Sequence, residues 1–172
     1  LVSMVTPEMI LDRLPPYQDK WVLIKKEQFV PDIINEICAA HSLYKDHYDL
    51  FSDLFYNKDP AIVADNLCNF CTDYIAYKEE PREDQTSAVP AGILERGHGD
   101  CKHYALFSAG VIGSLNRVYG CCFDAYFYFV GYKEAKEPYH VFVSVLNRDE
   151  EIWLDPTPGS GGEPTLIVPK KV

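Results

Sequence analysis

The hydrophobic pattern of the chain changes at Gly120, and this change constrains the fold more than any other feature. Before it, apolar residues recur at helical spacing, and a helix that starts at Cys101 is predicted to end at Gly120. After it, β-branched and aromatic residues dominate segments of strand length. These segments are residues 121–132, 139–146 and 151–154, with a last strand predicted at 165–168. Helices followed by a run of strands predict an α+β fold in which helices pack on an antiparallel sheet.

The first part of the chain has helical signals. A short helix is predicted from Thr6, and a second one opens with Pro31 in its first turn. Apolar spacing continues over residues 44–55. Aspartate followed by proline at 59–60 is a stronger helix start, and this helix is predicted to end near Tyr77.

Two irregular stretches and the domain limits follow from the same pattern. Residues 78–88 are charged and broken by proline, which predicts an exposed loop, and residues 90–98 are too glycine-rich to be regular throughout. A chain of 172 residues is long enough for one domain with a real core. We therefore expect a single compact domain, with residues 1–57 as a helical N-terminal extension packed on a core of residues 58–172.

Composition limits the partners. The net charge of −10 means that a nucleic acid or an anionic membrane would be repelled. No apolar run approaches the roughly 20 residues that cross a bilayer, and no secretion signal is visible, so we expect a cytoplasmic protein. Because the chain begins at Leu1, a longer precursor with a targeting segment stays open. Six irregularly spaced cysteines predict free thiols in a reducing compartment rather than a disulfide scaffold.

Cys101 lies where a loop becomes a helix. The unpaired N–H groups and the dipole at a helix start favour a thiolate, and the thiolate is the nucleophilic form of cysteine. Asp100 is predicted to cap this helix, and Gly99 to leave room for a substrate backbone. Since buried cysteines that only fill space are common, the prediction of a nucleophile depends on its partners.

A base and a group that orients it are predicted on one hairpin. A cysteine nucleophile needs a base to accept its proton and a third group to hold that base. A turn centred between Asn147 and Arg148 places His140 directly opposite Asp155. A turn centred one residue later makes the two residues diagonal neighbours on the same face, still within reach of each other. Either register lets Asp155 orient His140.

These three residues lie in short, recognisable blocks. The blocks are Gly-Asp-Cys-Lys-His-Tyr-Ala at 99–105, Tyr-His-Val at 139–141 and Trp-Leu-Asp-Pro-Thr at 153–157. In order and spacing they resemble the signature blocks of the transglutaminase-like superfamily of papain-fold cysteine enzymes. The resemblance covers about residues 59–157, and residues 1–57 lie outside it. It implies a papain-like fold with a Cys-His-Asp triad, but not one substrate, because the superfamily includes cross-linking acyltransferases, proteases and amidases.

The resemblance also implies roles. Cys101 would attack an amide or thioester carbonyl, His140 would act as general base and then acid, and Asp155 would hold His140. The Cys101 backbone N–H would supply part of an oxyanion hole. Gln85 is the candidate for the upstream side-chain donor that papain-fold enzymes usually add, because a similar glutamine precedes the cysteine in bacterial relatives. Further oxyanion or substrate-binding candidates are Gly99, His103 and Tyr139.

The leading functional hypothesis is a cysteine hydrolase, a peptidase or amidase, acting on a protein or peptide substrate. The classical cross-linking enzymes use a tryptophan where Gln85 is expected, and no tryptophan lies between Trp21 and Cys101, which favours hydrolysis. Two alternatives stay open. One is acyl transfer to an amine, by cross-linking or N-acetylation, and the other is a binding or scaffold module without turnover. The oligomeric state is not predicted.

No metal or other cofactor is predicted. His98 and His103 flank Cys101, but Cys68 and Cys71 are a single cysteine pair on one helical face, which is too little for a zinc site. The aromatic run at 123–132 is expected to form core rather than a carbohydrate- or peptide-stacking platform. The acidic residues at 79–84 are expected to form a solvated face that disfavours acidic substrates.

Overall fold

The computed structural model describes residues 5–16, 21–23, 30–81 and 84–172, which form an α+β structure, as predicted. The described helices are α1 (Pro7–Leu11), α2 (Val30–Asp49), a 3-10 helix (Ser52–Phe55), α3 (Pro60–Tyr74), α4 (Pro90–Arg96) and α5 (Cys101–Tyr119). The described strands are β1 (Trp21–Leu23), β2 (Ala76–Tyr77), β3 (Thr86–Ala88), β4 (His98–Gly99), β5 (Asp124–Gly131), β6 (His140–Asn147), β7 (Glu150–Leu154) and β8 (Leu166–Lys171). None of the described helices is long and apolar enough to cross a bilayer.

The main sheet has four antiparallel strands in the order β7-β6-β5-β8. The predicted meander is β5, β6 and β7, whereas β8 pairs with the other side of β5 and extends beyond the predicted residues 165–168. A two-residue turn joins β6 to β7, so that Asn147 pairs with Glu150. Arg148 begins this turn in the left-handed region, with φ 57°. The later of the two predicted turn positions is therefore the one observed.

Helix α5 begins and ends where the sequence predicts. The Asp100 side chain accepts a hydrogen bond from the Lys102 N–H (3.1 Å), and the Asp100 N–H donates to His103 Nδ1 (3.0 Å), which completes a capping box. At the other end Gly120 is left-handed, with φ 62°. All helix residues from Lys102 to Leu115 are buried, so α5 lies at the centre of the fold.

Phe107 of α5 connects the N-terminal helices to the rest of the core. Its ring centroid lies 5.9 Å from that of Phe51, 6.2 Å from that of Phe55 and 5.2 Å from that of Phe70. Tyr48 of α2 packs at 6.0 Å from the same ring. Helix α5 also packs on β5 and β6. The described part of residues 1–57 therefore contributes to the same hydrophobic core as residues 58–172.

Short pairings between distant segments differ from the prediction. Helix α3 ends at Tyr74 rather than near Tyr77, because β2 leaves it and pairs in parallel with β4. The predicted exposed loop at 78–88 contains β3, whose residues Ser87 and Ala88 are buried where the strand pairs with β1. That part of the loop prediction is wrong. Strands of two or three residues are too short to leave a periodic hydrophobic signal.

Other segments are more regular than expected. The helix predicted to open at Pro31 and the helical spacing that starts at residue 44 belong to one continuous helix, α2, which ends at Asp49. The glycine-punctuated stretch 90–98 contains α4, which Gly97 ends in the left-handed conformation at φ 71°. The aromatic strand β5 buries Phe127 and Phe129 in the core, as predicted, and its alternating tyrosines lie half-buried on the other face of the sheet.

Two glycines of α5 provide a test of this packing. A Cβ added at Gly110 would lie 2.3 Å from Cζ of the buried Tyr48, whereas one at Gly113 would meet Arg117 Nη1 at 3.3 Å and His41 Cε1 at 3.4 Å. We expect Gly110→Ala to lower the free energy of unfolding by about 2 kcal/mol, because the ring must move. Gly113→Ala should leave it unchanged or raise it by up to about 1 kcal/mol, because alanine favours the helix. Urea unfolding measures both, and equal effects would contradict the close approach of α2 to α5.

Candidate active site

Cys101 is the first residue of α5 and lies half-buried in the wall of a large cavity. Asp100, immediately before it, has extended backbone and caps the helix through the Lys102 N–H. The N–H groups of Lys102, His103 and Tyr104 all donate to Asp100, which leaves the Cys101 N–H for a group that binds beside the cysteine. The predicted loop-to-helix position of Cys101 is therefore the observed one.

His140 lies between Cys101 and Asp155. Its Nε2 is 2.7 Å from Asp155 Oδ2, and the two side chains are only 9 % and 13 % exposed. Since a carboxylate only accepts hydrogen bonds, Nε2 must carry a proton, which leaves Nδ1 for the Cys101 thiol. Burial opposes a charge on His140, but the hydrogen bond to Asp155 and the interaction with Cys101 outweigh it and raise the pKa of His140 to about 9. The structure therefore brings the three predicted triad residues together.

The turn after Asp155 holds its carboxylate. The Thr157 N–H donates to Asp155 Oδ1 at 3.3 Å, and the Ser160 hydroxyl donates to the Thr157 carbonyl at 2.9 Å. Burial would raise the pKa of Asp155, but the bond from His140 and the neighbouring Thr157 and Ser160 lower it below its usual value. The signal in the sequence is Asp-Pro-Thr, because an aspartate often accepts from the N–H two residues ahead of it.

Aromatic rings surround His140. The centroid of Phe142 lies 5.9 Å from that of the imidazole, and the centroid of Tyr132 lies 6.2 Å from it. Trp153 in turn packs on Phe142 at 5.3 Å. These rings reduce contact of the His140–Asp155 pair with water, and a lower local dielectric strengthens such a pair.

The cavity beside the triad has a volume of about 1150 Å³ and contains Cys101 and His140 in its lining. One wall comes from α2, through the side chains of Ile33, Ile34 and Ile37. The other walls come from the segment between β2 and β3, from the start of α5, from the segment between β5 and β6, and from the glycine-rich residues 157–163. Although the sequence resemblance excludes residues 1–57, their helix α2 is therefore part of the site.

A buried ionic cluster lies behind Cys101. Lys102 is 4 % exposed, and its Nζ lies 2.5 Å from Asp100 Oδ2 and 3.1 Å from Glu80 Oε2. Glu80 also accepts from the Thr86 N–H at 2.7 Å and from the Thr86 hydroxyl. Burial would raise the pKa of Asp100, but the neighbouring His103 and Lys102 side chains lower it well below its usual value. The cluster fixes the segment before β3 to the start of α5, so Glu80 is not part of a solvated face.

His103 belongs to this cluster and not to the cavity. It is fully buried, its Nδ1 accepts from the Asp100 N–H, and its Nε2 lies 3.4 Å from Thr86 Oγ1. The prediction of an oxyanion or substrate-binding role for His103 is wrong for this reason. Glu80, Asp100 and His103 are near enough to one another to ligate a cation, but the Lys102 ammonium already pairs with two of them.

The other predicted site residues have different surroundings. Gly99 is buried in β4, where an added Cβ would lie 2.7 Å from His103 Cβ, so its missing side chain makes room for His103. Gln85 lines the cavity, but its Nε2 donates to the carbonyl oxygens of Glu80 (3.2 Å) and Pro81 (2.9 Å). Both N–H groups of that amide are therefore in use. Tyr139 lines the cavity and is 65 % exposed.

Comparisons with protein-family models, with curated proteins and with solved structures found no match for this chain. The resemblance of the three sequence blocks to the transglutaminase-like superfamily stays a prediction.

The ionic cluster behind Cys101 is testable by removing its cation. We expect Lys102→Met to lower the free energy of unfolding by about 3–5 kcal/mol, because it leaves buried carboxylates without a counter-charge. Lys78→Met, at an exposed lysine before the same cluster, should change it by no more than about 0.5 kcal/mol. Chemical denaturation measures both. A loss below about 1 kcal/mol in Lys102→Met would contradict a tightly paired buried lysine.

Proposed function

We propose that the protein is a cysteine hydrolase, a peptidase or amidase, that cleaves an amide bond through a Cys101 acyl-enzyme. The observation that carries the proposal is the position of His140, which hydrogen-bonds to Asp155 and interacts with Cys101 in the lining of a large cavity. A nucleophile, a base in contact with it and a group that orients the base are the three parts that such catalysis needs.

The arrangement of elements supports a papain-like, transglutaminase-like architecture. The nucleophile begins a central helix, and the base begins a strand of the antiparallel sheet on which that helix packs. The orienting Asp155 follows directly on the next strand. These are the positions that the resemblance of the three sequence blocks implies, with the histidine opening a strand and the aspartate in Leu-Asp-Pro-Thr.

Acylation would proceed as follows. His140 holds the proton of the Cys101 thiol, and Sγ forms a bond to the carbonyl carbon while an electron pair moves to the carbonyl oxygen. The tetrahedral intermediate then collapses, the C–N bond breaks, and His140 gives its proton to the leaving nitrogen. An amine departs and a thioester on Cys101 remains. Asp155 stabilises the imidazolium while it holds the proton.

Deacylation would use the same residues in reverse. His140 accepts a proton from a water molecule, and the oxygen of that water bonds to the thioester carbon. The C–S bond breaks, the proton on His140 returns to sulfur, and a carboxylic acid is released. Replacing the water by a primary amine gives acyl transfer, so the acceptor decides between hydrolysis and transfer.

The cavity supports a peptide segment as substrate. Its volume of about 1150 Å³ is above the usual range for small-molecule pockets, and its wall combines three isoleucines with exposed tyrosine. Such a wall can hold apolar side chains and hydrogen-bond a backbone. All six cysteines are free in the structure, which is consistent with our proposal of a reducing, cytoplasmic environment.

Selective alkylation tests whether Cys101 is activated. At about pH 6.5 we expect iodoacetamide to modify Cys101 at least about tenfold faster than Cys122, because His140 can accept the proton of the Cys101 thiol. Cys122 is the more exposed of the two, so exposure alone predicts the opposite order. Peptide mapping by mass spectrometry gives the rates. Uniform slow labelling of all six thiols would contradict the proposal.

Product analysis then separates the functions. A panel of peptides and simple amides should yield carboxylic acids, and Cys101→Ala should abolish turnover while Cys122→Ser, the matched control, retains it. A product that joins the acyl group to an added primary amine, in place of the acid, would replace hydrolysis by acyl transfer. Labelled Cys101 with no product from any substrate would favour a binding module.

A further inference from the structure

The proposed reaction places a negative charge on the substrate carbonyl oxygen, and this inference rests on that proposal. The Cys101 backbone N–H at the start of α5 can donate one hydrogen bond to the oxyanion. The predicted side-chain donor, Gln85, has its amide N–H groups directed at two backbone carbonyls. The cavity must therefore supply its second donor from another residue.

Tyr77 lies beside the start of α5. It is the second residue of β2 and pairs with Gly99, two residues before Cys101. The Lys78 N–H donates to the Gly99 carbonyl at 2.8 Å, which fixes the strand there. The Tyr77 ring lies 6.0 Å from that of Tyr104, one helical turn after Cys101. Tyr77 and Cys101 line the same cavity.

The two neighbouring tyrosines differ in what their hydroxyl groups do. Tyr104 is buried and its hydroxyl donates to the Ile75 carbonyl at 2.6 Å. Tyr77 is 37 % exposed, and within the described ranges its hydroxyl has no hydrogen-bond partner. Burial raises the pKa of Tyr77, and the negative charge of Cys101 raises it further. The hydroxyl thus keeps its proton at neutral pH.

We propose that Tyr77 is a further catalytic residue, whose hydroxyl donates a hydrogen bond to the oxyanion formed while Cys101 is bonded to the substrate carbonyl. Together with the Cys101 N–H it completes the oxyanion hole. The parallel pairing of β2 with β4, which the sequence did not reveal, places Tyr77 opposite Gly99, two residues before the nucleophile.

Two reactions of Cys101 separate this role from a general effect on the thiol. Acylation by p-nitrophenyl acetate passes through an oxyanion, and alkylation by iodoacetamide does not. We expect Tyr77→Phe to slow acylation about 100-fold and to change alkylation by less than about threefold. Tyr74→Phe is the matched control, because Tyr74 ends α3 outside the cavity lining and should leave both rates unchanged.

The outcomes distinguish the two proposals. If Cys101→Ala is acylated as fast as the unmodified protein, the proposed function fails. If only Cys101 is acylated but Tyr77→Phe matches the unmodified protein, or if both rates fall equally, the role of Tyr77 is overturned. If Tyr77→Phe does not fold, 3,5-difluorotyrosine at position 77 provides a second test, because it keeps the ring and the hydroxyl. Its phenol is more acidic and loses its proton at a lower pH, and it can then no longer donate to the oxyanion. We therefore expect the acylation rate to fall at a pH at which the unmodified protein is still acylated at its full rate. Identical pH profiles of the two proteins would overturn the role of Tyr77.

Discussion

The register between β6 and β7 is the constraint on which the candidate site depends. Three contacts follow one diagonal across this strand pair: Ser144 with Glu151, Phe142 with Trp153, and His140 with Asp155. Because side chains alternate between faces, a slip of one residue would turn Glu151 towards α5 and replace Leu154 in the core. The hydrophobic effect that holds the sheet on α5 therefore also places the base beside its orienting carboxylate.

The position of the nucleophile depends on α5, which is held along its whole length. Aromatic packing around Phe107 and the close approach of Tyr48 to Gly110 hold its middle. The buried pairing of Lys102 with Asp100 and Glu80 holds its start. A reacting group is most effective when its position is fixed before the substrate binds, and rigid elements fix it better than loops. The same α2 that packs on this helix also forms a wall of the cavity.

The sequence was sufficient where the determining interactions are local. Helix caps act within one turn, so Asp59, Asp100 and Gly120 marked helix ends correctly. The hairpin is also local, and its turn limited His140 and Asp155 to two arrangements that both place them in contact. These signals were enough to name the helix, the sheet and the three residues that come together.

The remaining parts of the site depend on contacts between distant segments. Nothing in the sequence indicates that Glu80 pairs with Lys102, and a histidine in the first turn of a helix is not expected to be fully buried. The two-residue pairing that brings Tyr77 to Gly99 has no periodic pattern. Gly99 and His103 were predicted to bind the substrate or the oxyanion. In the structure the two residues pack against each other instead.

The protonation of His140 tests most directly whether Cys101, His140 and Asp155 act as one unit. Its pKa can be measured by an NMR titration of protein with isotope-labelled histidine, with His140→Gln to assign the signal. We expect the imidazole to stay charged through neutral pH and to lose its proton as the pH rises through about 9. In Asp155→Asn the pKa should fall back towards 6.5, the ordinary value. An unmodified protein in which His140 titrates at or below 6.5, or a pKa that Asp155→Asn leaves unchanged, would contradict this.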